Sequence, residues 1–199
     1  MREYTIARVT GKPDFSAIEP LQIDTLLWSP EVPITASAKL CYDDAGIHVQ
    51  LSAQEPNIRA EERGPLGFPC QDSCLEFFFC PMEGDDRYFN IESNPNGAMF
   101  LGFGPNVHEL CRLIQEEPVI APKAEYTEDG WKVSYSIPHS FVRRFFPDYA
   151  PAPGKSIRAN CYKCCELKEP VHYLCWCPIV LQYCSFHNPS KFGTMYFGE

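Results

Sequence analysis

The chain has 199 residues, of which 45% are hydrophobic and 22% charged, with a formal net charge of −9 and a pI near 5.1. That length fits one domain able to bury a sizeable core, and the composition excludes long disorder. The acidic balance, with no run of Lys and Arg, argues against nucleic acid as a partner, and the lack of any apolar stretch of about 18 residues argues against a membrane span.

The first residues, MREYTIARVTGKPDF, lack the apolar centre of a signal peptide. As given, the chain therefore reads as cytoplasmic, or as a secreted protein from which a signal was trimmed. Strand signals begin at once. Residues 3–9, 34–42 and 46–53 alternate or are rich in β-formers, and Tyr42-Asp43-Asp44-Ala45-Gly46 carries hairpin chemistry. Residues 55–71 form a long charged irregular stretch, the kind of loop that often carries function. The run DSCLEFFFC at 72–80 is almost continuously apolar, which predicts a central strand covered on both faces.

RYFNIES at 87–93 alternates, Asn94-Pro95-Asn96-Gly97 is a turn, and 98–103 is a further apolar strand. After the turn Thr127-Glu128-Asp129-Gly130, WKVSYSIP alternates cleanly. Residues 139–146 form the one helical segment, stopped by Pro147, and strands at 156–165, 171–177 and 194–197 complete the chain. The 19 prolines are scattered, so they punctuate turns rather than mark a linker. About ten short strands and one short helix predict an all-β, jelly-roll-like antiparallel sandwich, with residues 1–199 forming a single domain.

Six of the 11 cysteines lie between Arg158 and Gly193. The count is odd and the spacing suits no small disulfide scaffold, so most are expected reduced and buried as small apolar groups. Zinc needs four converging ligands, but strand alternation sends Cys161 and Cys164, and Cys164 and Cys165, to opposite faces. Cys175 and Cys177 share a face and are the better inward candidates. That turns Trp176 outward as a platform for a ligand, whereas Trp131 falls on a core face. His187 reads as a surface loop histidine, and His172 could ligate haem iron only with a partner such as Met99.

A polar patch emerges from the same alternation. Tyr88, Asn90 and Glu92 share a face, and the short connection at 81–86 brings their strand beside Glu76. Arg158, Asn160 and Tyr162 share a face of a later strand, with Lys163 on the other. Glu76 interrupts an apolar strand, where a carboxylate costs several kcal/mol unless paired or wet. Carboxylates, amides and a cation beside aromatic rings suit sugars, whose hydroxyls donate and accept and whose C–H faces pack on rings. The competing reading is a buried network of Glu76 with Arg158 or Lys163. Glu76 and Glu92 could also form a glycosidase pair, although no motif of nucleotide-binding or hydrolytic enzymes is present.

The ordered segments DSCLEFFF, RYFNIESNPNG, NCYKC, WCPI and FHNPSKFG, together with the earlier AKLCYDDAGIHV, resemble the carbohydrate-binding module family 9-like domains of bacteria over nearly the whole chain. The resemblance implies a β-sandwich that binds xylan- or cellulose-type oligosaccharides, or their terminal sugars, without cleaving them, with calcium as a structural ion and no required cofactor. In the branch of that family attached to xylanases, two aromatic rings clamp the terminal sugar. Trp176 is placed like the second clamp residue and Glu76 like the acidic reader; Asn90, Glu92, Arg158 and Asn160 would be further readers. Where the first clamp tryptophan should stand, this chain has Gly67-Phe68-Pro69-Cys70-Gln71, and Phe68 is the aromatic available. The alternatives are a haem-binding domain of the related sandwich class and a glycoside-active enzyme using Glu76 and Glu92.

Overall fold

In the computed structural model, which describes residues 1–181 and 183–199, fourteen strands form one continuous sheet folded into two layers. They are β1 (Glu3–Arg8), β2 (Leu21–Gln22), β3 (Thr25–Leu27), β4 (Thr35–Tyr42), β5 (Gly46–Gln54), β6 (Cys74–Cys80) and β7 (Tyr88–Ser93). They continue with β8 (Met99–Gly104), β9 (Cys111–Arg112), β10 (Lys123–Tyr126), β11 (Gly130–Pro138), β12 (Ser156–Cys165), β13 (His172–Cys175) and β14 (Gly193–Phe197). The first layer runs β10-β11-β5-β4-β1 and the second β14-β12-β6-β7-β8-β9. Strand β12 pairs on one edge with β14 and then β13, and on the other with β6.

The all-β sandwich expected from the sequence is present, with every expected strand and the short helix α1 (His139–Arg143). Strands β2, β3 and β9 are two or three residues long, too short to show an alternation, and β10 is four residues with little buried surface. The pairing is not wholly antiparallel: β1 lies parallel to both β4 and β14 and joins the layers. No helix among the described residues is long and apolar enough to cross a membrane.

Alternation sorts the side chains of the second layer. Leu75, Phe77 and Phe79 of β6 point between the layers with Val49, Leu51, Trp131 and Val133. Cys74, Phe78 and Cys80 point away, into a second apolar cluster with Tyr88, Tyr162, Ile179, Phe186 and Phe192. The outer face is thus roofed by the chain between β13 and β14. This explains why β6 and β7 are buried at every position and why DSCLEFFFC reads as continuously apolar. Asp43 sets the β4–β5 hairpin, its carboxylate accepting from the Ala45 and Gly46 amides.

Candidate functional site

The β6–β7 hairpin puts Glu76 opposite Glu92 and Phe78 opposite Asn90. Strand β8 adds Phe100 opposite Glu92, and β12 adds Tyr162 opposite Glu76 and Cys164 opposite Cys74. One row of the outer face therefore reads Tyr162, Glu76, Glu92, Phe100. Glu76 is 2% exposed and Glu92 7%. Asn90 Nδ2 donates to Glu92 Oε1 at 2.8 Å, while Asn90 Oδ1 is buried with no partner among the described residues. Gly102 lies opposite Asn90, and a Cβ there would collide with that same oxygen. Cys164 Sγ donates to Glu76 Oε1 at 3.2 Å, and Cys74 Sγ lies within 4.8 Å of the same carboxyl.

Burial pushes the Glu76 carboxyl up to about 8, partly offset by the Cys164 thiol. Burial also pushes Glu92 well above the usual carboxylate range, and the charges of Glu76 and Glu166 add to it. Among the described residues, no basic side chain forms an ion pair with either carboxyl. The site is a recessed acidic floor held partly protonated, able both to donate and to accept hydrogen bonds.

Beside this floor stands an aromatic rim. Phe68, which opens the 3-10 turn Pro69–Gln71, is 51% exposed and stacks on Phe100 with ring centroids 6.4 Å apart. The Arg112 guanidinium sits over Phe100 at 4.5 Å and over Phe68 at 5.4 Å. Its nitrogens donate to the carbonyls of Leu66 and Gly67, which ties the rim to β9. A cation held over two rings fastens the exposed Phe68 to β8 and β9.

Of the expected site residues, the structure brings together Glu76, Asn90 and Glu92, with Phe68 at the rim. It does not place Trp176, Arg158 or Asn160 with them. Trp176 is 3% exposed and joins the core between the layers with Leu174 and Cys177, whereas Cys175 joins the outer cluster. The expectation of an outward indole is corrected by the register. Leu174 pairs with Lys163, and the Trp176 amide donates to the Cys161 carbonyl, so both side chains follow the inner face. The ring fills space that Gly193 leaves open, since a Cβ there would lie 2.6 Å from Trp176 Cζ3.

Asn160 lies on the outer face but spends its amide locally. Its Nδ2 donates to the Cys177 carbonyl, and its Oδ1 accepts from the Cys161 and Cys177 amides. Arg158 donates to the carbonyls of Pro189 and Asp85 and pairs with Asp86 at 2.7 Å, away from Glu76. Lys163 is fully buried on the inner face and pairs with Glu55 at 3.3 Å, so neither cation forms the expected network with Glu76. His172 has both ring nitrogens engaged, with Lys163 Nζ and the Pro170 carbonyl, which leaves none for a haem iron. His187 is not a plain surface histidine: it packs on Phe78, and its Nδ1 is 2.7 Å from the Tyr88 hydroxyl.

Sequence reasoning missed Phe100, Arg112, Cys74 and Glu166. Phe100 was within reach, because continuing the hairpin through Asn94-Pro95-Asn96-Gly97 sets it opposite Glu92. Arg112 sits in a two-residue strand that leaves no pattern to read.

This arrangement defines a two-layer β-sandwich with a polar recess and an aromatic rim on one sheet face, the layout of a ligand-binding module. The family model for carbohydrate-binding family 9 matches residues 10–197, and the chain belongs to that family. Three solved structures are similar over nearly their full lengths. A "putative carbohydrate-binding protein" from Bacteroides uniformis is 27% identical with a TM-score of 0.83, covering 98% of this chain and 99% of that one. A carbohydrate binding module family 9 from Caldicellulosiruptor kristjanssonii in complex with glucose is 14% identical with a TM-score of 0.72, covering 100% of this chain and 97% of that one. The same kind of module from that organism in complex with cellotriose is 13% identical with a TM-score of 0.73, covering 99% of this chain and 94% of that one. At those identities the two complexes bear on the fold alone. No curated protein matches the sequence.

Proposed function

We propose that this chain is a non-catalytic carbohydrate-binding module that takes the end of a cellulose- or xylan-type oligosaccharide against the outer face of β6, β7 and β8. The observation that carries this reading is the juxtaposition of the Glu76–Glu92–Asn90 floor with a rim of exposed Phe68 over half-buried Phe100 and Arg112. The rim offers an apolar surface for the C–H face of a pyranose. Glu92 and Asn90 Oδ1, which has no partner among the described residues, would read hydroxyls, with burial and then the charge of Glu76 raising the Glu92 carboxyl. Membership of a carbohydrate-binding family and the glucose and cellotriose held by similar modules support the same ligand class.

The carboxyls are direct cross-strand neighbours on one floor rather than groups flanking a bond from two sides, which favours binding over hydrolysis. Titration calorimetry with cellobiose, cellotriose and xylobiose at millimolar concentration, with chelator present, tests the reading. Saturable heat that disappears in Glu92→Gln supports it, and no heat across the panel overturns it.

A further inference from the structure

The sequence argues against zinc because the cysteines near the C-terminus scatter across faces, and the structure agrees for Cys161, which lies in the inner core while Cys164 lies in the outer cluster. A different set nevertheless converges. Cys74 and Glu76 stand two residues apart on one face of β6, and Cys164 stands opposite Cys74 on β12. Their Sγ, carboxylate oxygen and Sγ atoms all lie within 4.8 Å of one another, and all three residues are buried.

We infer that Cys74, Glu76 and Cys164 form a binding site for a thiophilic divalent cation of the zinc type. Ligand atoms this close need only small thiol rotations to reach bond lengths of about 2.0–2.3 Å from a shared ion. Two thiolates and a carboxylate match a borderline-soft ion with tetrahedral preference and disfavour calcium or magnesium, which take oxygen ligands. The geometry around the set points the same way. The Cys164 thiol donates to Glu76 Oε1, Cys74 Sγ lies within 4.8 Å of both, and the Glu76 carboxyl has no basic partner among the described residues, so three potential ligands face one another with no cation between them. Cys70 borders the set, with its carbonyl oxygen 3.9 Å from Cys164 Sγ and its thiol bonded to Glu166.

Binding exchanges the two thiol protons, and that of Glu76 where it is protonated, for the cation and releases them to solvent. Affinity therefore falls as pH is lowered. The site does not depend on the sugar reading, although the two share Glu76, because metal is titrated without sugar and sugar with chelator.

The test uses the full chain, reduced and stripped with chelator, titrated with cobalt(II) as an optical probe and with zinc by calorimetry. One ion per chain is expected, with a near-ultraviolet thiolate-to-cobalt band and the strong visible bands of four-coordinate cobalt. Both signals should vanish in Cys74→Ser/Cys164→Ser and persist in Cys111→Ser, which alters an exposed thiol elsewhere. Glu76→Gln keeps both thiols and should weaken zinc at least tenfold while the circular dichroism spectrum stays native, which separates lost ligation from lost folding. Absence of the cobalt bands in the wild type, or their survival in the folded double variant, overturns the inference.

Discussion

The second layer carries a buried carboxyl site on each of its faces, and the two are built in opposite ways. On the inner face Glu55 is surrounded by donors: Lys163 at 3.3 Å, the Ser73 hydroxyl at 3.0 Å and the Trp131 indole at 2.6 Å. Lys163 in turn reaches His172 Nε2 at 2.9 Å and the Cys164 carbonyl at 3.0 Å. Every strong group there has a partner inside the fold, which is what a structural network requires. On the outer face Glu76 and Glu92 have a thiol, one amide and each other, and among the described residues neither forms an ion pair. A buried acid that the fold does not neutralise is a group left for something else to meet, and the difference separates scaffold from site.

The largest effects should come from breaking the completed network. Lys163→Ala leaves Glu55 buried without its cation and should cost about 3–5 kcal/mol in denaturant unfolding. A loss below about 1 kcal/mol would mean that the inner site is wet rather than sealed. Trp176→Ala, also on the inner face, should cost a similar ~3–5 kcal/mol by emptying the space above Gly193. An equally stable Trp176→Ala that no longer binds sugar would return the indole to the ligand.

A middle-sized effect distinguishes the outer acids by pH. Glu76 and Glu92 are raised in the folded state, so the fold holds protons that the unfolded chain releases above 4.5. The Glu76 contribution is complete below 4.5 and is lost as pH rises towards about 8, and that of Glu92 is lost in the same direction, the opposite of an ordinary salt-bridged carboxylate. His172 and His187 carry the other sign. Burial lowers both from 6.5 to about 4, so their contribution is lost as pH falls through that window. Thermal melts with chelator from pH 5 to 8 should show wild-type stability declining on the alkaline side and Glu76→Gln flattening the decline. An unchanged slope in the variant would place the carboxyl pair in contact with solvent.

How far these two sites were legible in the sequence follows from strand geometry. Period-two alternation gave the ten longer strands, the face shared by Glu92 and Asn90, and the neighbour relation of Glu76 with Glu92, because a short hairpin fixes its own register. It misplaced Trp176 because alternation says which side chains share a face but not which face is inner. With both faces of the layer covered, apolar residues such as Cys175 and Trp176 fit either side. It separated Lys163 from Asn160 correctly but could not supply their partners, since Glu55 lies on another layer and Cys177 beyond a strand end. Arg112 and Cys74 gained their roles from pairings between strands distant in sequence, which no local pattern encodes.

The smallest expected effect on stability falls on the rim, and it carries the most functional information. Phe68 is 51% exposed and touches the fold chiefly through Phe100 and Arg112, so Phe68→Ala should change stability by less than about 1 kcal/mol. The same change removes the outer ring of the stack and the surface a pyranose would cover. Sugar binding should therefore weaken by an order of magnitude or more, while the melting curve stays close to wild type and the acidic floor keeps its pH response. Phe68→Trp enlarges the platform, and it should tighten binding. Calorimetry of both variants against cellotriose decides the matter: if neither changes affinity, the outer face binds without its rim, and the contrast between a sealed inner network and an open outer site rests on the carboxyl pair alone.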